Sequence, residues 1–330
     1  MKVAIIGVSG LVGQTLLRII NQSSIPIEKL IGAASYSSLG DMITFRDQRQ
    51  QTVMVSQALE AKPNLAIFTA KDSTSLCWAQ DFIEAGATVI DNSSTWRMEA
   101  NCPLIIPEVN QHILRKTDRL IANPNCSTIQ MLVALAPLHA AYKLKRVVIS
   151  TYQSVTGAGT AGVDQLISER TDYPPDAIAF PHPIDLNVIP HIDDFLDNGY
   201  TKEEMKLVNE TRKILGVQDL AITATAVRVP VIGGHALSVN ATFEKDFSLK
   251  TVIKILKNSP GIIVQNSGKR KQYPMPRLVK GRNEVFVGRI RRDESCPASL
   301  NMWIVAGNLY KGAATNAWQI AEYLYQQHWL

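Results

Sequence analysis

The chain has 330 residues, of which 46% are apolar and 19% charged, and it carries a net charge of +5. That length suits two domains better than one small core, and the ordinary balance of apolar and charged residues excludes a disordered chain. The positive balance is mild and gathers in no long stripe, which excludes a nucleic-acid binder and suits a small anionic substrate.

The densest basic patches, residues 269–271 and 289–292, are short and read as solvated surface. No apolar run reaches the ~18 residues of a membrane span. The opening MKVAIIGVSG runs from an apolar stretch into glycines without a long h-region or a small-residue cleavage site, so it reads as a strand and not as a signal peptide. Cysteines stand at 77, 102, 126 and 296 without CxxC or Cys/His metal spacing, so no metal is expected and the expectation is a cytoplasmic protein with free thiols.

In chain order, the pattern predicts a strand over residues 2–7, a helix over 11–20, strands over 30–35 and 65–69, a helix over 73–85, and strands over 88–91 and 120–122. This β-α-β rhythm predicts an α/β fold that opens with a Rossmann-like, doubly wound parallel sheet. After Cys126 the pattern changes. A helix over 127–142 leads into longer alternating strands at 146–154, 221–229, 237–243, 285–291 and 300–305, with helices near 161–169, 202–215 and 249–257. Such a series predicts an α+β domain on an antiparallel or mixed sheet. The Pro-rich stretch 172–190 reads as an ordered loop, and a helix over 313–326 is expected to pack back on the first domain. The expected division is a dinucleotide-binding domain of residues 1–125 completed by 309–330, and a catalytic and dimerisation domain of residues 126–308.

Gly7, Gly10 and Gly13 form G-x-x-G-x-x-G directly after the first strand and before a helix. Glycines there allow a tight turn, let the backbone approach a pyrophosphate, and leave the helix N-terminus free to meet negative charge. NAD-binding folds usually carry an acidic residue about 20 residues further on, for the ribose 2′-hydroxyl. The stretch Ala34-Ser35-Tyr36-Ser37-Ser38-Leu39-Gly40 has none, and its serines can hydrogen-bond a 2′-phosphate. NADP is therefore expected over NAD, with NAD still possible, and Arg46 is a basic residue able to fold back toward such a phosphate.

Asn123-Pro124-Asn125-Cys126-Ser127-Thr128 follows a strand and opens a helix. Free amides at a helix N-terminus stabilise a thiolate, which marks Cys126 as a nucleophile; the other three cysteines lack that setting.

Taken together, the glycine turn of residues 7–13, Asn92-Ser93-Ser94-Thr95-Trp96-Arg97, Ile106-Pro107-Glu108-Val109-Asn110, Pro124-Asn125-Cys126-Ser127-Thr128, Gln153 ahead of Gly157-Ala158-Gly159, Glu204-Met205-Lys206, Arg228-Val229-Pro230, Gly234-His235 and Lys311-Gly312-Ala313-Ala314 make the sequence resemble the aspartate-β-semialdehyde dehydrogenase family from about residue 2 to residue 326. The resemblance implies NADPH-dependent reduction of L-aspartyl-4-phosphate to the semialdehyde and phosphate, within lysine, threonine, methionine and isoleucine biosynthesis, by a homodimer or larger assembly. It implies that Cys126 forms a thioester, that His235 is the general acid/base, that Gln153 orients the substrate and that Asn125 polarises the carbonyl. It further implies that Arg228 pairs with the substrate α-carboxylate, Arg97 and Lys206 with phosphate, and Glu204 with the amino group. Gly7, Ser9, Gly10, Leu11, Val12, Gly13, Ser35, Ser38, Thr156, Gly157 and Asn308 would hold the cofactor. His235 is followed by Ala236-Leu237, where the family often has Ser and a polar residue, and this bears on how the imidazole is oriented. Two alternatives are N-acetyl-γ-glutamyl-phosphate reductase, whose cysteine usually sits in Pro-Gly-Cys-Tyr, and a catalytically inactive paralogue acting as a scaffold.

Overall fold

The computed structural model describes residues 1–171, 173–266 and 271–330. The expectations for Asp172, Lys269 and Arg270 therefore lie outside the described residues. In chain order the elements are β1 (Lys2–Ile6), α1 (Leu11–Asn21), β2 (Lys29–Ala33), β3 (Met42–Phe45), β4 (Gln48–Gln51), α2 (Val55–Glu60), β5 (Leu65–Phe68), α3 (Asp72–Glu84), β6 (Thr88–Asp91), α4 (Pro107–Asn110), β7 (Leu120–Ala122), α5 (Cys126–Tyr142), β8 (Leu144–Ser154), α6 (Gly159–Arg170), α7 (Lys202–Leu215), β9 (Ala221–Val229), β10 (His235–Phe243), α8 (Leu249–Asn258), β11 (Ile262–Val264), β12 (Val285–Arg292), β13 (Ser299–Ala306) and α9 (Thr315–Gln326). They form two compact units, Met1–Asn125 with Ala313–Leu330, and Cys126–Gly312. No helix among the described residues is long and apolar enough to cross a membrane.

The first unit is built on a parallel sheet in the order β2-β1-β5-β6-β7. Its strands are apolar on both faces because helices cover both. Val3, Ile5, Leu65 and Ile67 join Leu16, Ile20, Trp318 and Leu324 in one core, where α9 packs with α1. Ala4, Ile6, Ala66 and Phe68 face Ala58, Ala79 and Phe82 in the other. Each buried Leu or Ile stabilises this arrangement by roughly 1.5–3 kcal/mol.

The hairpin β3–β4 carries no strong sequence signal. Its two-residue turn is Arg46-Asp47, both at positive φ (45° and 66°), where Asn-Gly would be usual. Arg46 is fixed there: its guanidinium donates to the Ser23 and Ile25 carbonyls at 3.1 and 2.9 Å, and its backbone N–H to Asn21 Oδ1 at 2.8 Å. Those bonds commit it to the turn, which argues against its use on a cofactor phosphate.

The second unit has a mixed sheet in the order β11-β12-β13-β10-β8-β9. The pairs β8–β9 and β11–β12 are parallel and the three central pairings antiparallel. Helix α5 lies on this sheet and packs on α7 and α8. It is apolar on all sides, with residues 127–135 all buried.

The described part of the Pro-rich loop is held in place by α6. Gln165 Oε1 accepts from the amides of Ala179 and Phe180, and Glu169 Oε2 from those of Ile184 and Asp185. Phe180, Ile184 and Ile189 are buried beneath it. Arg289, Arg291 and Arg292 are exposed, as expected of a solvated patch.

Candidate active site

At the glycine turn each glycine has a distinct physical reason. Gly7 sits at φ 93°, and a Cβ there would lie 2.9 Å from the Ala70 amide nitrogen. A Cβ on Gly13 would lie 2.2 Å from the Gly7 carbonyl oxygen, so only glycine lets α1 start this close to the end of β1. Gly10 is the N-cap of α1 and supplies no side-chain cap; no acidic residue occupies the first turn. The leading amides of α1 are thus left for an anion, with Ser9 and Gly10 exposed and Leu11 and Val12 half-buried. Ser35, at the end of β2, is exposed and its hydroxyl meets that of Ser37 at 3.0 Å; Ser38 is half-buried. The turn and the serine loop fit a dinucleotide.

Also in the first unit, Arg97 is buried and its guanidinium donates to the carbonyls of Asn123 (3.0 Å) and Asn92 (2.7 Å). Asn123 is itself pinned by Asn92 and Asn316. The chain then passes through buried Asn125 into α5.

In the second unit, Cys126 is the first residue of α5 and is partly exposed. Gly312 backs it, and a Cβ there would be 2.9 Å from Cys126 Cβ. None of the four cysteines is in a disulfide, and no metal-ligating cluster occurs among the described residues.

Three further predicted residues meet through strand register. The parallel pairing of β8 with β9 sets Gln153 opposite Arg228, and the antiparallel pairing of β8 with β10 sets Ala236, next to His235, opposite Tyr152. Gln153, Arg228 and His235 thus stand at the ends of adjacent strands. Arg228 Nη1 donates to the Ser154 carbonyl at 2.8 Å, and its guanidinium lies over the Phe180 ring. Burial pushes the Arg228 pKa down, while the charges of Glu203 and Cys126 hold it up. His235 is fully buried, its Nδ1 accepts from the Ser154 amide at 3.0 Å, and its Nε2 has no partner. Burial and the Arg228 charge push the His235 pKa down to about 3, against the opposing pull of Glu203 and the Gly234 carbonyl. A Cβ on Gly157 would lie 2.6 Å from Arg228 Nη1 and 3.4 Å from His235 Nε2, so that backbone closes over both groups. Thr156 donates to Asn308 Oδ1 at 3.0 Å and its hydroxyl meets that of Ser154.

The two glutamates at the start of α7 divide their work differently from the expectation. Glu204 is the N3 member of a capping box: its Oε2 accepts from the Thr201 amide at 2.7 Å and its Oε1 from the Ala226 amide at 2.9 Å. The carboxylate that faces the cluster belongs to Glu203, which accepts from Gln153 Nε2 at 3.1 Å and pairs with Lys206 at 3.4 Å. Thr201-x-x-Glu204 is a capping-box signature, and read as such it would have freed Glu203 for the site. Lys206 also pairs with Asp193 at 2.7 Å; burial works to raise the Asp193 carboxyl, but Lys206 holds it below its ordinary range.

Residues 2–117 match the model of the semialdehyde dehydrogenase NAD binding domain, and residues 135–311 that of the semialdehyde dehydrogenase dimerisation domain. The chain is 44% identical to aspartate-semialdehyde dehydrogenase of Aquifex aeolicus, covering 99% of this chain and 98% of that one. It is 41% identical to the Bacillus subtilis enzyme of the same name, over 98% and 97% of the two chains. The chain belongs to the aspartate-semialdehyde dehydrogenase family. The fold agrees with that of aspartate semialdehyde dehydrogenase II from Vibrio cholerae, solved as a complex with ASA, at a TM-score of 0.94 and 40% identity over 98% of both chains. Membership makes the chain an oxidoreductase of amino-acid biosynthesis, a phosphorylating aldehyde dehydrogenase that uses a nicotinamide cofactor. It also sets aside the reading as N-acetyl-γ-glutamyl-phosphate reductase, since the relatives named above are aspartate-semialdehyde dehydrogenases.

Proposed function

We propose that the chain reduces L-aspartyl-4-phosphate to L-aspartate-4-semialdehyde and phosphate with NADPH, through a thioester on Cys126. The observation that carries this reading is the meeting of Gln153, Arg228 and His235 at three adjacent strand ends. Cys126 attacks the acyl carbon, and phosphate leaves with the bonding pair. The bound nicotinamide supplies hydride to the thioester. Arg228, a buried planar cation, holds the substrate α-carboxylate, and its Phe180 contact keeps the fork in place. Gln153 orients the substrate, Asn125 helps polarise the carbonyl, and His235 serves the reacting oxygen. We assign the substrate ammonium to Glu203, because both oxygens of Glu204 already serve backbone amides. Lys206 and Arg97 take phosphate.

The cofactor is held by Gly7, Ser9, Gly10, Leu11, Val12 and Gly13 at the turn, by Ser35 and Ser38 at the 2′-phosphate, and by Thr156, Gly157 and Asn308. NADP is preferred because no carboxylate stands at the end of β2 to repel the 2′-phosphate. The working form is a homodimer built through the second unit. The sheet face bearing Ser238 and the Tyr152–Trp303 ring pair (centroids 5.4 Å apart) is an apolar-centred surface suited to it. Cysteines without disulfides suit a cytoplasmic setting. The test is the reverse reaction followed spectrophotometrically: aspartate semialdehyde, phosphate and NADP should yield NADPH, with NAD used less well. No cofactor reduction with either nucleotide would overturn the reading.

A further inference from the structure

We propose that the Asp193 carboxylate competes with phosphate for the Lys206 ammonium, so that Asp193 sets how tightly phosphate is held. The inference rests on the assignment of phosphate to Lys206 above and adds a residue that works against it.

Lys206 is already shared. Its Nζ lies 2.7 Å from Asp193 Oδ2 and 3.4 Å from Glu203 Oε2. Two carboxylates around one ammonium leave a negative charge in excess, and that excess repels an arriving phosphate. Phosphate gains the full attraction of Lys206 only when one carboxylate withdraws.

The two carboxylates are held differently. Glu203 lies on α7 one turn before Lys206, is buried, and accepts from Gln153 Nε2 at 3.1 Å. Asp193 is exposed, on the segment that leads into α7. Its Oδ1 accepts from the Asp194 amide at 2.9 Å. The residue sits at φ 69°, a left-handed conformation that aspartate adopts more readily than most residues, because its short side chain bonds to nearby backbone.

The chain on either side is fixed. The Ile189 amide donates to the Arg228 carbonyl, and Ile192 is buried. The His191 and Phe195 rings stack with centroids 4.4 Å apart, and the Lys202 amide donates to the Asp194 carbonyl at 2.9 Å. Rotation about the Asp193 Cα–Cβ bond is therefore enough to break the ion pair while the segment stays in place. Lys206, a compact charge on a flexible stem, can then follow the phosphate. Burial works to raise the Asp193 carboxyl, but Lys206, the Asp194 amide and the Lys202 charge hold it below its ordinary range, so the competitor is charged at neutral pH. One residue along, Asp194 pairs with Lys202 at 2.7 Å on the open surface. That pair has the same chemistry without an assigned substrate group, and it serves as an internal control.

The test measures the KM for inorganic phosphate in the reverse reaction, with the full-length enzyme, aspartate semialdehyde and NADP. Asp193→Asn keeps the size and the tolerance for a left-handed backbone and removes the charge. It should lower the phosphate KM roughly three- to ten-fold, a gain that damage to the fold does not produce. Asp194→Asn should leave that KM within about two-fold. Lys206→Leu should raise it, and Asp193→Asn added to that variant should lower it by less than it does alone. A higher phosphate KM in Asp193→Asn would make the aspartate a support for Lys206 and overturn the inference, and an unchanged KM would overturn it too. An equal fall in Asp194→Asn would reduce the effect to surface charge and also overturn it. In each of these cases the Lys206 assignment stands as long as Lys206→Leu raises the KM; an unchanged KM in Lys206→Leu removes both.

Discussion

The two units hold their chemistry in opposite ways. In the first, the glycine turn is a local device: seven consecutive residues, Gly7 to Gly13, carry the turn, the close approach and the exposed amides. In the second, Cys126 is local to its helix, but Gln153, Glu203, Arg228 and His235 come from four elements joined by register and packing. A local device fails when one atom is added to it. An assembled one fails by degrees, according to which member is lost.

Removing the nucleophile should have the largest effect. Cys126→Ser should keep its Tm, because sulfur and oxygen differ little in size, and lose about ten-thousand-fold or more in kcat. Most of the activity surviving would break the contrast by placing the reacting atom elsewhere. Next, Gly312→Ala brings a methyl to 2.9 Å from Cys126 Cβ, and a displaced nucleophile should lower kcat on the order of a hundred-fold with little change in cofactor affinity. Gly13→Ala does the reverse: its methyl meets backbone, so cofactor affinity and Tm fall while the alkylation rate of Cys126 stays near wild type. Equal loss of Cys126 reactivity in Gly13→Ala would show that the two devices are not separable.

The paired glutamates sharpen the same contrast at smaller scale. Glu203→Gln should lower kcat/KM for the semialdehyde about ten- to a hundred-fold at nearly unchanged Tm. Glu204→Gln should instead cost about 1–2 kcal/mol of stability, read by urea unfolding, because the capping box and the bond to the Ala226 amide weaken together. A further prediction is a pH dependence. The unfolded histidine titrates near 6.5 and His235 in the fold near 3, so below 6.5 the unfolded chain binds a proton that the folded chain refuses. Stability from this group is full above 6.5 and declines as pH falls toward 3. His235→Gln should lose less Tm than wild type over that window; parallel curves would mean that the histidine is not held neutral.

The same contrast explains what was legible in the sequence. The parallel sheet showed in short apolar strands between amphipathic helices, and the helix start at Cys126 in Asn125-Cys126-Ser127, because those signals lie within a few residues of one another. The β3–β4 hairpin was not legible, since Arg46-Asp47 adopts a turn that its residue types do not advertise. Gln153, Arg228 and His235 could be singled out only through likeness to a family. Nothing local to Arg228 says that a parallel register will set it opposite Gln153. Glu203 and Glu204 are adjacent and chemically identical, and only the capping geometry of Thr201 separates them.

The burial of the first half of α5, residues 127–135, has a consequence for how the molecule opens. Amides on exposed helices exchange with solvent through local fraying, whereas those of residues 130–135, past the first turn, are covered by the sheet and by neighbouring helices. Their deuterium uptake should therefore wait for cooperative opening of the whole unit, long after α8 and the loop before α7 have exchanged. Cys126 would then sit one turn from a segment that opens only with the whole unit, and edges of the unit could breathe without shifting the proposed nucleophile.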